Sequence, residues 1–244
     1  MLGSAQAIAR APYENGYLSA ATGGPLRPGG LDLTARLVNL CELPVGANIL
    51  DVGCGTGGTI EDLHKKGILH AFGVDRSELL LQTGKYLRPT LPLTCGSSRS
   101  LPVASEIMDV VMAECSLSVF SDLEATLQEF WRVLRPGGKL ALSDIYARNP
   151  GGLPALQVLP LSCGLRTSLT QANLEELLKQ CGFEIRVWED HSQTLKYMAG
   201  QIILTHGSMN EYWSKSEPVA DPLDIQIAIG KARLGYFILV AGKV

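Results

Sequence analysis

One stretch, Ile49 to Gly57, constrains the fold of this chain more than any other. It reads Ile-Leu-Asp-Val-Gly-Cys-Gly-Thr-Gly, an apolar run with an acid, Asp51, followed by three alternating glycines. A short apolar run is typical of a buried parallel strand. Glycines directly after it indicate a turn with positive φ, or a backbone that another group approaches closely. Because Asp51 would repel a pyrophosphate, the stretch favours a cationic or hydroxyl-bearing ligand.

The composition of the 244-residue chain limits its class. Hydrophobic residues make up 46%, enough for one sizeable α/β domain, and the net charge of −3 argues against a nucleic-acid partner. Six scattered cysteines without Cys-x-x-Cys or zinc spacing predict reduced thiols and no metal site. No apolar run reaches the roughly 18–20 residues of a membrane helix, and the first residues do not resemble a signal peptide. We therefore expect no membrane insertion and a cytoplasmic location.

Apolar periodicity predicts strands that alternate with helices up to about residue 145. The predicted strands are 48–52, 69–74, 91–95, 109–113 and 139–143, and the predicted helices are 31–42, 57–66, 78–87 and 121–134. This alternation indicates a parallel sheet with helices on both faces. Farther along we predict a loop over 148–168, a helix over 171–181, a strand at 183–188, a helical segment over 192–213 and a terminal strand at 236–241. Residues 1–30, rich in Gly, Ala and Pro, are predicted to form an arm or lid.

Polar residues follow the predicted strands at the edge where ligands of open α/β sheets bind. Asp75 comes after the second strand, at the distance from the glycine loop at which an acid accepts the hydroxyls of a ribose. Ser97 and Ser98 follow the third strand, and Glu114 follows the fourth. The sequence therefore predicts a site for a ribose-containing ligand at this edge.

The glycines alone leave the ligand open. Gly53, Gly55 and Gly58 satisfy G-x-G-x-x-G, which would also serve a nicotinamide-dependent dehydrogenase. Asp51 is poorly placed for a pyrophosphate, however, and no Tyr-x-x-x-Lys dyad for hydride transfer follows.

The segment Leu50–Gly57 resembles the first motif of class I S-adenosylmethionine-dependent methyltransferases. Further motifs of that family follow in its order and spacing, namely Leu101-Pro102, Met108 to Val111, Glu129 to Leu140 and Ser143 to Ile145. The resemblance covers about residues 32–190 and the final strand at 236–243. It implies a Rossmann-like, seven-stranded, mostly parallel sheet whose last strand is antiparallel.

The resemblance also implies a site for S-adenosylmethionine, which carries an ammonium, a sulfonium and a ribose but no phosphate. Asp51 would lie near the amino group, Asp75 would hold the ribose, and Ser97 and Ser98 would contact the adenine where family members often have an Asp. The implied cofactor-binding residues are Asp51, Gly53, Cys54, Gly55, Gly57, Asp75, Arg76, Ser97, Ser98 and Glu114.

The methyl acceptor is predicted to be a small molecule. In the methyltransferase domain that the resemblance implies, residues 31–244, inserts near 146–170 and 191–233 are expected to shape the acceptor pocket. Methyl transfer relies on in-line alignment and needs a general base only if the acceptor must lose a proton. The catalytic residue therefore stays open.

Three positions are weak candidates for a catalytic role. Glu114 follows the fourth strand, and Tyr17 lies with Tyr13 in the N-terminal arm, where the pattern favours anchoring aromatics over a catalytic role. Cys163 lies in a segment similar to arsenite methyltransferases, although a structural thiol is the alternative; quinone-biosynthesis methyltransferases share the core motifs equally well. The alternatives for the whole chain are a module that binds S-adenosylmethionine without catalysis, or a nicotinamide-dependent dehydrogenase.

Overall fold

The computed structural model describes residues 13, 14, 16–22 and 27–244. Much of the predicted 1–30 arm therefore lies outside the described residues. The strands are β1 Ile49–Val52, β2 Ala71–Asp75, β3 Leu93–Cys95, β4 Met108–Glu114, β5 Leu134–Ala147, β6 Phe183–Asp190 and β7 Leu234–Lys243. They form one sheet in the order β3-β2-β1-β4-β5-β7-β6.

The direction of the strands confirms the predicted fold class. Strands β1 to β5 pair in parallel, whereas β7 runs antiparallel to both β5 and β6. The helices are α1 Tyr17–Thr22, α2 Gly30–Leu40, α3 Gly58–Lys65, α4 Glu78–Leu87, α5 Leu123–Val133, α6 Leu153–Gln157, α7 Gln171–Gln180, α8 Ser192–His206, α9 Met209–Ser216 and α10 Pro222–Ala232. The chain thus has the seven-stranded, Rossmann-like α/β architecture.

Two apolar cores hold helices against opposite faces of the sheet. Side chains alternate between the two faces along a strand, so Leu50 of β1 packs into the core that includes Phe130 of α5 and Leu178 of α7. The neighbouring Ile49 packs into the other core, together with Leu37 of α2 and residues of α3. The prediction of helices on both faces is confirmed.

The predicted loop over 148–168 and the predicted helical segment over 192–213 are wrong in detail. The loop contains α6, and the helical segment divides into α8 and α9 at Gly207, whose φ is 88°. Helix α10 was not predicted, because its apolar residues alternate with polar ones as in a strand. Asp221 overrides that pattern by accepting hydrogen bonds from the backbone N–H groups of the first turn, with Pro222 at the first helical position.

The chain leaves β5 and β6 and enters β7 at the edge where β1, β2 and β4 end. Ala147 at the end of β5 pairs with Leu234 at the start of β7, and Asp190 at the end of β6 pairs with Phe237. Helices α6, α8, α9 and α10 follow these points, and α1 packs on α8 and α9. We call these five helices the cap, since they lie at the carboxyl edge of the sheet. No helix within the described ranges is long and apolar enough to cross a membrane.

Candidate functional site

The glycine loop after β1 has the backbone that its sequence predicts. Gly53, Gly55 and Gly57 have φ values of 84°, 55° and 82°, in the left-handed region that favours glycine. The Gly53 N–H donates to the carbonyl of Val74 at 2.8 Å, which ties the loop to β2. A Cβ at Gly53 would lie 2.5 Å from the Cβ of Ser116, so the segment after β4 approaches the bare backbone closely.

Asp75 lies at the end of β2 and is buried. Its Oδ2 accepts a hydrogen bond from the Gly55 N–H at 2.7 Å, and its Oδ1 accepts one from the Ser77 N–H at 2.8 Å. Each carboxylate oxygen has further lone pairs, so Asp75 can anchor the glycine loop and still accept hydrogen bonds from two hydroxyls. Ser77 Oγ caps α4 and donates to Glu14 at 2.6 Å, which brings described arm residues to this side of the site.

A buried charged cluster connects α2, α3 and β4. Glu114 Oε1 forms an ion pair with Arg27 Nη2 at 3.1 Å and accepts a hydrogen bond from the Thr59 hydroxyl at 3.0 Å. Glu114 Oε2 accepts one from the Thr34 hydroxyl at 2.8 Å. Arg27 Nη2 also donates to Thr34 Oγ1 at 2.5 Å and to Thr59 Oγ1 at 2.9 Å. The carboxylate predicted at the end of β4 is therefore held by three donors.

Sequence reasoning placed Glu114 at this edge but missed Arg27, Thr34 and Thr59. Arg27 lies in the Gly- and Pro-rich stretch before α2, and no pattern there distinguishes it from a surface arginine. Its Nε atom is buried and has no hydrogen-bond partner among the described residues. An unpaired guanidinium donor of this kind fits an anionic ligand group such as a carboxylate.

Asp51 is buried in β1 near this cluster. Burial raises the pKa of its carboxyl to about 8, and Glu114 raises it further, while Arg27 opposes the shift. A cationic ligand group beside Asp51 would stabilise its charged form, which is the electrostatic match expected for an ammonium.

Replacing Asp51 with Asn should change how stability depends on pH. The pKa of an unfolded Asp is about 3.9, so between roughly pH 4 and pH 8 the folded chain keeps a proton that the unfolded chain has lost. Stability of the wild type therefore falls as pH rises through that window, by at most about 1.4 kcal/mol per unit from this group. We expect the stability of Asp51→Asn relative to wild type to rise across it, as measured by urea unfolding at several pH values. If the free energies of unfolding of wild type and Asp51→Asn changed with pH in parallel, the raised pKa of Asp51 would be contradicted.

The turn after β4 is held in an uncommon conformation. Cys115 has a φ of 52°, in the left-handed region that non-glycine residues seldom adopt, and its N–H donates to the carbonyl of Ser143 at 2.7 Å. The Ser116 hydroxyl donates to the carbonyl of Val52 at 3.0 Å. These bonds position the turn beside Gly53. No local pattern in the sequence indicates these hydrogen bonds.

The remaining predicted cofactor residues lie around the same edge. Arg76 is exposed. Cys54 is buried, and burial raises the pKa of its thiol above the ordinary value. Ser98 Oγ lies 2.9 Å from Thr126 Oγ1 of α5. Ser97 is exposed, and its Oγ accepts a hydrogen bond from the backbone N–H of Arg99. Adenine contact at Ser97 and Ser98 stays a prediction.

Of the candidate catalytic residues of the arm and the inserts, Tyr17 begins α1 of the cap and Cys163 lies in the segment that follows α6. The carbonyl of Tyr17 accepts a hydrogen bond from His206 Nε2 at 2.9 Å, and burial raises the pKa of Tyr13. Cys163 is partly buried, and its N–H donates to Glu217 Oε1 at 2.9 Å. Burial and the nearby Glu217 raise the pKa of the Cys163 thiol to about 12, so it is protonated at neutral pH. Their catalytic roles stay predictions.

Comparison with known proteins identifies relatives of this chain. Residues 50–142 match a family model described as a methyltransferase domain. The chain is 27% identical to methyltransferase GfsG of Streptomyces halstedii over 69% of its length, 27% identical to phosphoethanolamine N-methyltransferase 1 of Arabidopsis thaliana over 71%, and 29% identical to an O-methyltransferase of Pyrenophora dematioidea over 87%. It spans 64%, 32% and 80% of those proteins, respectively.

A solved structure of the cyclase SpnF has the same fold. It superposes with a TM-score of 0.73 and 27% sequence identity, covering 95% of this chain and 93% of the other. Within the described part of the chain, no group of three or more His, Cys, Asp and Glu side chains is placed to hold a metal ion.

Proposed function

We propose that this chain, which belongs to the class I S-adenosylmethionine-dependent methyltransferases, transfers a methyl group from S-adenosylmethionine to a small-molecule acceptor. The observation that carries the proposal is the grouping of Asp51, Asp75 and the Arg27–Glu114 pair around the glycine loop. This set offers acids to an ammonium and to ribose hydroxyls, and a guanidinium donor to a carboxylate. Those are the charged and polar groups of S-adenosylmethionine.

Each residue has a distinct part in holding the cofactor. Asp75 would accept the ribose hydroxyls with the lone pairs left after its bonds to Gly55 and Ser77. Arg27 Nε would donate to the carboxylate, and Asp51 would face the ammonium. Because Gly55 lacks a side chain and the nearest atom to a Cβ there would be Leu80 Cδ1 at 3.9 Å, the methionine part can approach the loop backbone at this residue. The ten residues predicted from the sequence, together with Arg27, make up the proposed cofactor site.

S-adenosylmethionine supplies an electrophilic methyl group, whose bond to sulfur breaks as a nucleophilic atom of the acceptor forms a bond to the same carbon, leaving S-adenosylhomocysteine. The chain's own contribution is alignment and exclusion of water. Glu114 is already held by Arg27, Thr34 and Thr59, so we assign it to ordering the site rather than to removing a proton. The relatives include enzymes named for O- and for N-methylation, and the acceptor atom stays open.

Calorimetry and a turnover assay test this proposal. We expect one molecule of S-adenosylmethionine or S-adenosylhomocysteine to bind per chain and NADH not to bind. S-adenosylhomocysteine should form when the chain is mixed with the right member of a panel of phenols, amines, thiols, quinones and arsenite. Absence of binding by either cofactor form at millimolar concentration would refute the proposal.

The similarity to a cyclase favours one second candidate, a protein that binds S-adenosylmethionine and acts on a small molecule without methyl transfer. The cyclase structure covers almost the whole chain at 27% identity. Turnover separates the two functions, because only a methyltransferase converts S-adenosylmethionine to S-adenosylhomocysteine in step with product formation.

We also propose a cytoplasmic location and an acceptor other than a nucleic acid. The six cysteines are all unpaired, which suits a reducing compartment. The net charge of −3 does not suit a polyanionic acceptor. Fractionation of the native host would test the location.

A further inference from the structure

One buried carboxylate near the carboxyl edge of the sheet is not used by the proposed cofactor site. Asp144 lies near the end of β5 and is only 1% exposed. Its Oδ2 accepts a hydrogen bond from the backbone N–H of Ser118 at 2.9 Å. Its Oδ1 accepts one from the Ser118 hydroxyl at 2.9 Å and one from the N–H of Ile145 at 2.7 Å. The carboxylate therefore fixes both the backbone and the side chain of Ser118.

Ser118 lies in the segment that follows β4, residues 115–119, which we call the β4 segment. Two residues before Ser118, the Ser116 hydroxyl donates to the carbonyl of Val52 at 3.0 Å. The Ser116 side chain also fills the space beside Gly53, because a Cβ added at that glycine would lie 2.5 Å from the Cβ of Ser116. The β4 segment is therefore packed directly against the glycine loop.

Ser118 is also in contact with the first predicted acceptor insert, residues 146–170. The Thr167 hydroxyl donates a hydrogen bond to the carbonyl of Ser118. Gly164 approaches Ser118 so closely that a Cβ at this glycine would overlap the Ser118 hydroxyl. Ser118 thus joins the insert to the β4 segment, and Asp144 holds Ser118 in place.

The cavity beside Asp144 is too small for an acceptor. It has a volume of about 20 Å³, and its polar lining residues besides Asp144 are Ser118, Tyr146 and Thr167. Such a space suffices for one water molecule. The oxygens of Asp144 are also engaged by Ser118 and Ile145, so the carboxylate is not placed to take a proton from an acceptor. Any role of Asp144 in the reaction therefore acts through other residues.

We propose that Asp144 is a positioning residue for methyl transfer, because it holds Ser118 and thereby fixes the acceptor insert relative to the glycine loop. Methyl transfer depends on in-line alignment, and a misplacement of about 1 Å can cost a factor of about 100 in rate. The glycine loop is tied separately to β2 through Gly53 and Asp75. Loosening Ser118 should therefore displace the insert while cofactor affinity is kept. This inference rests on the proposed function, because it concerns the geometry of the same reaction.

Hydrogen exchange without ligands tests the contact itself and needs no acceptor. Asn has one acceptor oxygen and one NH₂ group, so Asp144→Asn leaves at least one backbone N–H without its partner. We expect amides of the β4 segment to exchange faster by about threefold or more in this variant. Asp122→Asn is the matched control, since that carboxylate is exposed and accepts from the N–H of Ala125 at 3.1 Å, a bond that Asn can replace. Unchanged exchange in Asp144→Asn would overturn the proposal.

Steady-state kinetics with an acceptor identified in the panel test the effect on the reaction. We expect Asp144→Asn to lower kcat by about tenfold or more, while calorimetry shows S-adenosylhomocysteine binding within about threefold of the wild-type affinity. Asp122→Asn should keep both values. A variant that loses Tm but keeps the wild-type kcat per folded molecule would make Asp144 a purely structural residue and would refute its positioning role.

A second variant disturbs the same contact from the insert side and leaves Asp144 unchanged. In Gly164→Ala the new methyl group pushes the Ser118 hydroxyl away from the carboxylate, and the φ of Gly164 is not positive, so alanine adds no backbone strain. We expect kcat to fall with cofactor affinity kept. Gly151→Ala in the same insert is the control, because a Cβ there would meet Asn149 Oδ1 at an ordinary 3.6 Å.

The double variant Asp144→Asn/Gly164→Ala shows whether the two residues act through one contact. We expect its loss in kcat to be smaller than the product of the two single losses, because both changes loosen Ser118. If the two losses multiply, the residues act independently and Asp144 does not position the insert.

The outcomes separate this inference from the proposed function. Wild-type binding and turnover, with kcat unchanged in both test variants, would overturn the positioning role alone. Failure of the wild type to bind S-adenosylhomocysteine would refute the proposed function. If no acceptor is turned over, the exchange experiment alone decides whether Asp144 holds the β4 segment.

Discussion

Replacing Arg27 with Met is expected to lower the free energy of unfolding by about 3–5 kcal/mol, because Glu114 would stay buried without its charged partner. The side chains of Arg27 and Glu114 are only 11% and 3% exposed. The hydroxyls of Thr34 and Thr59 would still donate to the carboxylate, but they carry no charge to offset it. Urea unfolding at neutral pH measures the loss, and calorimetry should also show weaker binding of S-adenosylmethionine.

A second substitution shows whether the lost charge pair is the cause. In Arg27→Met/Glu114→Gln the buried charge is removed together with its partner, so much of the stability should return. Arg36→Met is the control at an exposed pair, where Arg36 and Glu189 lie 2.5 Å apart, and it should cost far less. If the Arg27 and Arg36 variants lose equal stability, the buried cluster is not what holds this edge together.

Asp75→Ala should weaken binding of S-adenosylmethionine by about 1–3 kcal/mol, or roughly five- to 150-fold. The variant loses the acceptor for the ribose hydroxyls and also leaves the N–H groups of Gly55 and Ser77 without their partner. The glycine loop would then be less ordered before the cofactor binds, which adds to the cost.

Calorimetry with two further variants separates these contributions. Asp75→Asn keeps one acceptor oxygen and the shape of the side chain, so its loss should be intermediate. Asp224→Ala, at an exposed position on α10, should bind like wild type. Unchanged affinity in Asp75→Ala would remove this residue from the cofactor site.

Local pattern was enough to predict the acids at the ends of the strands. Asp75 and Glu114 each follow an apolar run, and the carboxyl ends of parallel strands meet at one edge, so their proximity follows from the alternation of strands and helices. The positive φ values of Gly53, Gly55 and Gly57 follow from the same stretch.

The partners of these acids could not be predicted, because they depend on tertiary contacts. Thr34 donates to Glu114 across 80 positions of the chain, and Arg27 lies in a stretch without periodicity. In helix α10 the local pattern itself was misleading. Its residues alternate as in a strand, but Asp221 caps the first turn and the segment is helical.

The place of β7 in the sheet has a consequence for how the chain folds during synthesis. Strand β7 lies between β5 and β6, although the ribosome makes it after both. Strands β1 to β5, with the glycine loop, are complete once residue 147 has emerged, whereas β6 has no neighbour in the sheet until β7 arrives. The nascent chain therefore exposes unpaired strand edges until β7 has emerged. The donor half of the site can assemble early, but the helices after β6 are fastened to the sheet only when residues 234–243 insert.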